Sequence, residues 1–140
     1  MPNTLRFSLP GNIDNISTVR VAISKYAKSA GFSQESVEDI NISILEGIKV
    51  VCCHGYEMRA CRFLVICGLV DDMLQIKISN SNAEFTVDKN ECELCGHCPG
   101  DGELSMFIIS SLMDKTDLEK DADGVKSLFM EKMKVKEDRD

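Results

Sequence analysis

Tryptophan is absent from this 140-residue sequence, and aromatic residues make up only 6% of it. That removes one usual stacking platform for nucleobases. A membrane-crossing run is also missing, because no apolar stretch nears the ~20 residues that a spanning helix needs. The opening residues, MPNTLRFSLPG, lack the charged and apolar regions of an export signal, so a cytoplasmic protein is expected. Positive charge is in short supply: 16 Lys and Arg face 23 Asp and Glu, for a net charge of −7 and a pI near 4.8. An acidic chain has no general attraction for nucleic acid or anionic membranes, and neither is expected as a partner. No repeat or linker divides the sequence. Its length suits a single domain, residues 1–140, with 44% hydrophobic residues to fill a core.

Cysteine is abundant, at seven residues. In a chain without an export signal, seven thiols point away from a disulfide framework and toward buried thiols, metal ligands or redox centres. The odd number leaves at least one thiol unpaired within the chain.

Residues 4–9, TLRFSL, alternate apolar and polar and predict a strand that Pro10-Gly11 ends. Asp14, Asn15 or Ser17 is expected to cap a helix whose apolar positions are Ile16, Val19, Ile23, Tyr26, Ala27 and Ala30, with Gly31 as its stop. Ser33 then caps a second helix, with Glu35 and Glu38 near its positive end and the stripe Val37, Ile40, Ile44, Ile48, Val51 facing a core. The runs 61–70 and 73–79, joined by Asp71-Asp72, predict an antiparallel hairpin. Residues 80–102 lack periodicity and read as a long loop, and loops of that length in a compact domain usually carry function. LSMFIISSLMD (104–114) returns to helical spacing, and GVKSLFMEK (124–132) reads as a last strand with Val125, Leu128 and Met130 partly buried. The charged tail is expected to fray. The order β-α-α-β-β-loop-α-β predicts an α/β (α+β) two-layer sandwich, with a mixed, mainly antiparallel sheet and helices on one face.

One stretch is distinctive: ISILEGIKVVCCHGYE, residues 42–57. It resembles the N-box helix of the GHKL (Bergerat-fold) ATPases, and specifically that of the bacterial anti-sigma factor serine kinases, which reads approximately E-x-x-x-N-x-x-x-H-G-Y. FIISSLMD followed by the Gly-led GVKSLFMEK, and the early VRVAISKYAKSAGFSQESVEDINISILE, are similar to the same family. The resemblance implies a general base at Glu46 and, four residues later, an asparagine that holds magnesium. Here that later position is Val50, which offers no lone pair to a hard cation. The family's D-x-G-x-G adenine motif corresponds to SNSNAEF, which places Asn80, Asn82 and Glu84 there without either glycine. Its G-x-G-L phosphate turn corresponds to ELSM, with Glu103 and Ser105 in place of the glycines. Glu103 competes with phosphate for the amide donors of a helix start. The resemblance leaves Asn80, which retains an amide oxygen acceptor, and His54 as remnants of the nucleotide site. Bound Mg-ATP is therefore not expected, and Glu46 is catalytic only if the chain is active. Otherwise Glu46 is a solvated or capped helix carboxylate.

Residues 83–102 occupy the position of the family's ATP lid and contain Cys92-x-x-Cys95-x-x-Cys98-Pro, a spacing like that of bacterial iron–sulfur proteins. Cys53, Cys52 or His54 is the candidate fourth ligand, and His97 lies between two ligands. An iron–sulfur cluster, zinc, a thiol redox switch and inert thiols all remain open. Cys61 and Cys67 read as packing residues. The resemblance also implies a homodimer and protein partners, a sigma factor or an anti-anti-sigma protein, contacted through Arg20 on the first helix. The alternative reading of Arg20 is an exposed side chain paired with an acidic neighbour. Three functions follow as expectations: a regulatory binding protein with a vestigial nucleotide site, an active anti-sigma serine kinase, or an accessory iron–sulfur or zinc signalling domain.

Overall fold

A computed structural model describes residues 4–52, 62–81, 103–120, 122 and 125–135. Its elements are β1 (Thr4–Pro10), α1 (Ile13–Ser29), α2 (Gln34–Cys52), β2 (Arg62–Val70), β3 (Met73–Ser81), α3 (Glu103–Leu112), β4 (Lys115–Lys120) and β5 (Lys126–Met133). The described strands form one sheet in the order β1-β2-β3-β5-β4. Every described pairing in it is antiparallel, in keeping with the mainly antiparallel sheet that the sequence predicts.

The alternation of each strand fixes which face is covered. Phe63, Val65 and Cys67 on β2, Leu74, Ile76 and Ile78 on β3, and Leu128 and Met130 on β5 are all buried. They meet the apolar stripes of α1 (Ile16, Val19, Ile23, Ala27) and α2 (Val37, Ile40, Ile44, Ile48, Val51). Both stripes recur at the three- and four-residue steps that put side chains on one helix face. The two-layer sandwich with helices on one face is thus the observed architecture.

Four local expectations change. The cap of α1 is Asn12, whose Oδ1 accepts from the Asn15 amide at 2.9 Å, while the Asn15 side chain donates to the Pro10 carbonyl at 2.8 Å. The helix therefore starts earlier than an Asp14, Asn15 or Ser17 cap allows. Residues Asn80 and Ser81 belong to β3 and not to the following loop. Leu128 and Met130 are fully buried, because β5 is an interior strand. What makes it interior is β4, a strand the sequence does not announce: KTDLEK has no apolar alternation and is mostly exposed. Charged residues of both signs suit an edge strand, whose free backbone must be kept from pairing with other chains.

Other expectations hold. The Ser33 hydroxyl accepts from the Ser36 amide at 3.1 Å, capping α2. Gly31 stops α1 with φ +96°, a conformation that favours glycine. Cys67 is a packing residue, and burial pushes its thiol up to about 12. At neutral pH it stays protonated and unreactive.

The C-terminal strand does more than pair. Lysines in or just after β5 donate to the last carbonyls of each described helix: Lys126 to Val50 of α2 at 3.4 Å, Lys132 to Leu112 of α3 at 2.5 Å, and Lys134 to Ala30 at the end of α1 at 2.9 Å. Lys132 also pairs with Asp39 at 3.2 Å. A cation at a helix C-terminus satisfies orphan carbonyls and opposes the negative dipole end.

α2 lies close against the sheet because Gly47 has no side chain. A Cβ there would sit 2.8 Å from Ile78 Cδ1 and 3.0 Å from Leu128 Cδ2. Gly47→Ala is therefore expected to destabilise the fold by about 1–3 kcal/mol through overpacking, despite the better helix propensity of alanine. The urea midpoint of the variant, compared with that of the unsubstituted chain, measures this.

Candidate functional site

Among the described residues, Glu46, Val50, Asn80 and Arg20 engage the two flanks and the C-terminal end of α2. On one flank, Glu46 faces α3. Its Oε1 accepts from the Ser105 hydroxyl at 2.7 Å, and its Oε2 lies 3.6 Å from Lys49 Nζ. Glu46 is only 16% exposed and Ser105 only 4%. Of the solvated or capped carboxylate that the sequence offers as an alternative, the geometry has the engaged form: the group is held by Ser105 and Lys49. It joins α2 to the first turn of α3, where Glu103 is the opening residue.

One turn beyond Glu46, Val50 is buried. Its side chain carries only methyl groups, which offer a hard cation no oxygen ligand. Its backbone carbonyl accepts from Lys126 Nζ. Asn80, at the end of β3, is 3% exposed and spans the same corner. Its Nδ2 donates to the Val51 carbonyl at 2.8 Å, and its Oδ1 accepts from the Lys126 amide at 3.2 Å. The amide oxygen that the sequence left available for a ligand therefore already accepts from the start of β5. One side chain ties the end of α2, the end of β3 and the start of β5 together. Buried amides of this kind are costly unless both ends are satisfied.

On the opposite flank, Arg20 of α1 is half-buried and donates through Nε to Asn41 Oδ1 of α2. Asn41 Nδ2 donates in turn to the Ser24 hydroxyl at 2.9 Å. The partner of Arg20 is thus an amide and not an acidic neighbour. Arg20, Ser24, Lys28, Gln34, Asn41 and Ile42 are among the residues lining a groove of about 340 Å³ between α1 and α2.

Sequence reasoning found Glu46, Val50, Asn80 and Arg20 but missed the residues that engage them: Ser105, Lys126 and Asn41. Ser105 was read only as the loss of a glycine. Nothing local marks Lys126 or Asn41, since these contacts join residues 21 to 76 positions apart. Cys52 is buried. Cys53, His54, Cys61, Asn82, Glu84, Cys92, Cys95, His97 and Cys98 lie outside the described residues. Among the described residues, no group of His, Cys, Asp and Glu is arranged to hold a metal, and no helix is long and apolar enough to cross a membrane.

Known proteins match this sequence over most of its length. The chain is 26% identical over 129 residues to the serine-protein kinase RsbW of Halalkalibacterium halodurans, covering 86% of this chain and 78% of that protein. It is 26% identical over 126 residues to the RsbW of Listeria monocytogenes, covering 84% and 80%. To that of Bacillus cereus it is 22% identical over 118 residues, covering 79% and 73%. Residues 9–132 match the family model described as the histidine kinase-like ATPase domain, a span from the end of β1 almost to the end of β5. On that match, and with a fold that agrees with it, the chain belongs to the histidine kinase-like ATPase domain family.

Proposed function

We propose that the chain is an anti-sigma regulatory protein that acts by binding and not by phosphoryl transfer. The kinship with serine-protein kinases named RsbW supports the anti-sigma role. The observation that carries the rest is the state of the α2–α3 corner. Glu46 is engaged by Ser105 and Lys49, and Val50 gives magnesium no donor. This donor set does not fit a magnesium-bound nucleotide, which needs side-chain oxygen to hold its cation. The alternative, an active serine kinase using Glu46 as base, rests on the names of the relatives and requires the Ser105–Glu46 contact to open.

The partner is a sigma factor or an anti-anti-sigma protein, docked on the α1 face around Arg20. Two copies pair through the sheet face opposite the helices. That face carries Val70, Phe129 and Met133, each at least 37% exposed, beside Lys77 and Glu131, whose opposite charges suit a second copy. In place of nucleotide control, Cys92, Cys95 and Cys98 hold a zinc ion or an iron–sulfur cluster, with Cys53 or His54 as the fourth ligand.

The binding reading is tested by co-expressing the chain with each sigma factor of its native cell and weighing the purified complex by light scattering. A complex containing two copies of the chain, formed without added nucleotide, is expected. Failure of every sigma factor and every anti-anti-sigma protein to bind contradicts the proposal, as does binding that depends on Mg-ATP. The cysteine proposal is tested separately, by metal analysis and absorption spectroscopy of anaerobically purified protein. A stoichiometric metal that is lost in Cys95→Ala is expected, and colourless, metal-free protein removes the idea.

A further inference from the structure

The α1–α2 groove contains a relay that the family resemblance does not account for. Asn41 sits on the flank of α2 facing α1, and its amide bridges two α1 residues, Arg20 and Ser24. The direction of the amide is fixed by chemistry. A guanidinium only donates, so Asn41 must turn its oxygen to Arg20 Nε and its NH2 to the Ser24 hydroxyl. Arg20 therefore sets which way the Asn41 amide turns, Ser24 tethers its NH2 to α1, and Asn41 holds the guanidinium through Nε.

Arg20 is half-buried and lines the groove. Engagement through Nε leaves the terminal nitrogens, the pair that grips a carboxylate in parallel hydrogen bonds, uncommitted to Asn41. Among the described residues Arg20 makes no ion pair; the described pairs are Lys49–Glu46 and Lys132–Asp39. Glu38 lines the same groove, but its carboxylate accepts from Gln34 at 3.4 Å on its own helix. Lys28 adds a second positive charge to the groove. An arginine on an open helix face would ordinarily lose its rotamer freedom on binding. Here part of that loss has already occurred.

We propose that Asn41, tethered by Ser24, is a positioning residue that aims Arg20 at an acidic side chain of the bound protein. The inference rests on the reading of Arg20 as a partner contact. Asn41 itself need not touch the partner. Its effect passes through Arg20, so the two residues behave as one unit.

A double-mutant cycle tests this, using the purified sigma factor that the unsubstituted chain retains as the probe. Affinity and melting temperature are measured for Arg20→Ala, Asn41→Leu and the double variant. Asn41→Leu is expected to weaken binding about tenfold, the scale on which fixing a side chain in advance affects affinity. The double variant is expected to bind no worse than Arg20→Ala alone, because residues sharing one network are non-additive. The arginine Nε–H proton of Arg20, followed by NMR, is expected to exchange faster with water in Asn41→Leu than in the unsubstituted chain. Full affinity in Asn41→Leu, with binding lost in Arg20→Ala, overturns this inference and leaves the partner reading standing. Strict additivity also overturns it. Full affinity in Arg20→Ala removes both the inference and the reading beneath it.

Discussion

The close approach of α2 to the sheet at Gly47 is the constraint on which the rest depends. A helix that touches Ile78 and Leu128 with its backbone leaves its flanks free to engage the neighbouring helices. Ser36, Ser43 and Gly47 keep the buried side of α2 narrow, while Ile40, Ile44 and Ile48 supply the apolar area. The lysines of β5 and Lys134 then fasten the helix layer to the strand beneath it by its C-termini. Burial of apolar area holds the layers together, and the lysine contacts fix the position of each helix end. The first contribution is the larger one, since many buried Ile and Leu side chains contribute about 1.5–3 kcal/mol each, and the three part-buried lysine contacts up to about 2 each.

With α2 anchored, chemistry divides between its flanks. Asn41 and Glu46 are five residues apart and point to opposite sides, one toward α1 and the other toward α3. The α3 flank is closed: a carboxylate, a hydroxyl and a lysine satisfy one another. The end of the helix is closed as well, with Asn80 and Lys126 bound to its final carbonyls. The α1 flank is open, and Arg20 is held there with donors to spare. The contrast between these regions is the physical basis for reading the chain as a protein binder. Closed polar groups contribute to stability, whereas open, oriented ones are available to a partner.

The sequence made the fold legible wherever burial imposed periodicity. The stripes of α1 and α2 and the hairpin of β2 and β3 follow directly from apolar spacing. β4 escaped because an exposed edge strand has no apolar alternation to reveal it, and the interior place of β5 escaped with it. The Asn12 cap was missed because Asp14, Asn15 and Ser17 offer equally good capping chemistry in sequence, and only the Asn12–Asn15 contact separates them. At the site, the sequence shows valine at position 50 and Glu103 and Ser105 at the start of α3. It does not show which residues engage Glu46 and Asn80. Ser105, Lys126 and Asn41 act across long sequence separations, and tertiary contacts between single polar residues leave no periodic trace.

Isothermal titration of the unsubstituted chain with Mg-ATP and Mg-ADP tests the central claim most directly. The account predicts no measurable binding heat at nucleotide concentrations up to the millimolar range. A saturating isotherm with micromolar affinity, about −8 kcal/mol, contradicts it, because the Glu46–Ser105 and Asn80–Val51 contacts would then be yielding to the ligand.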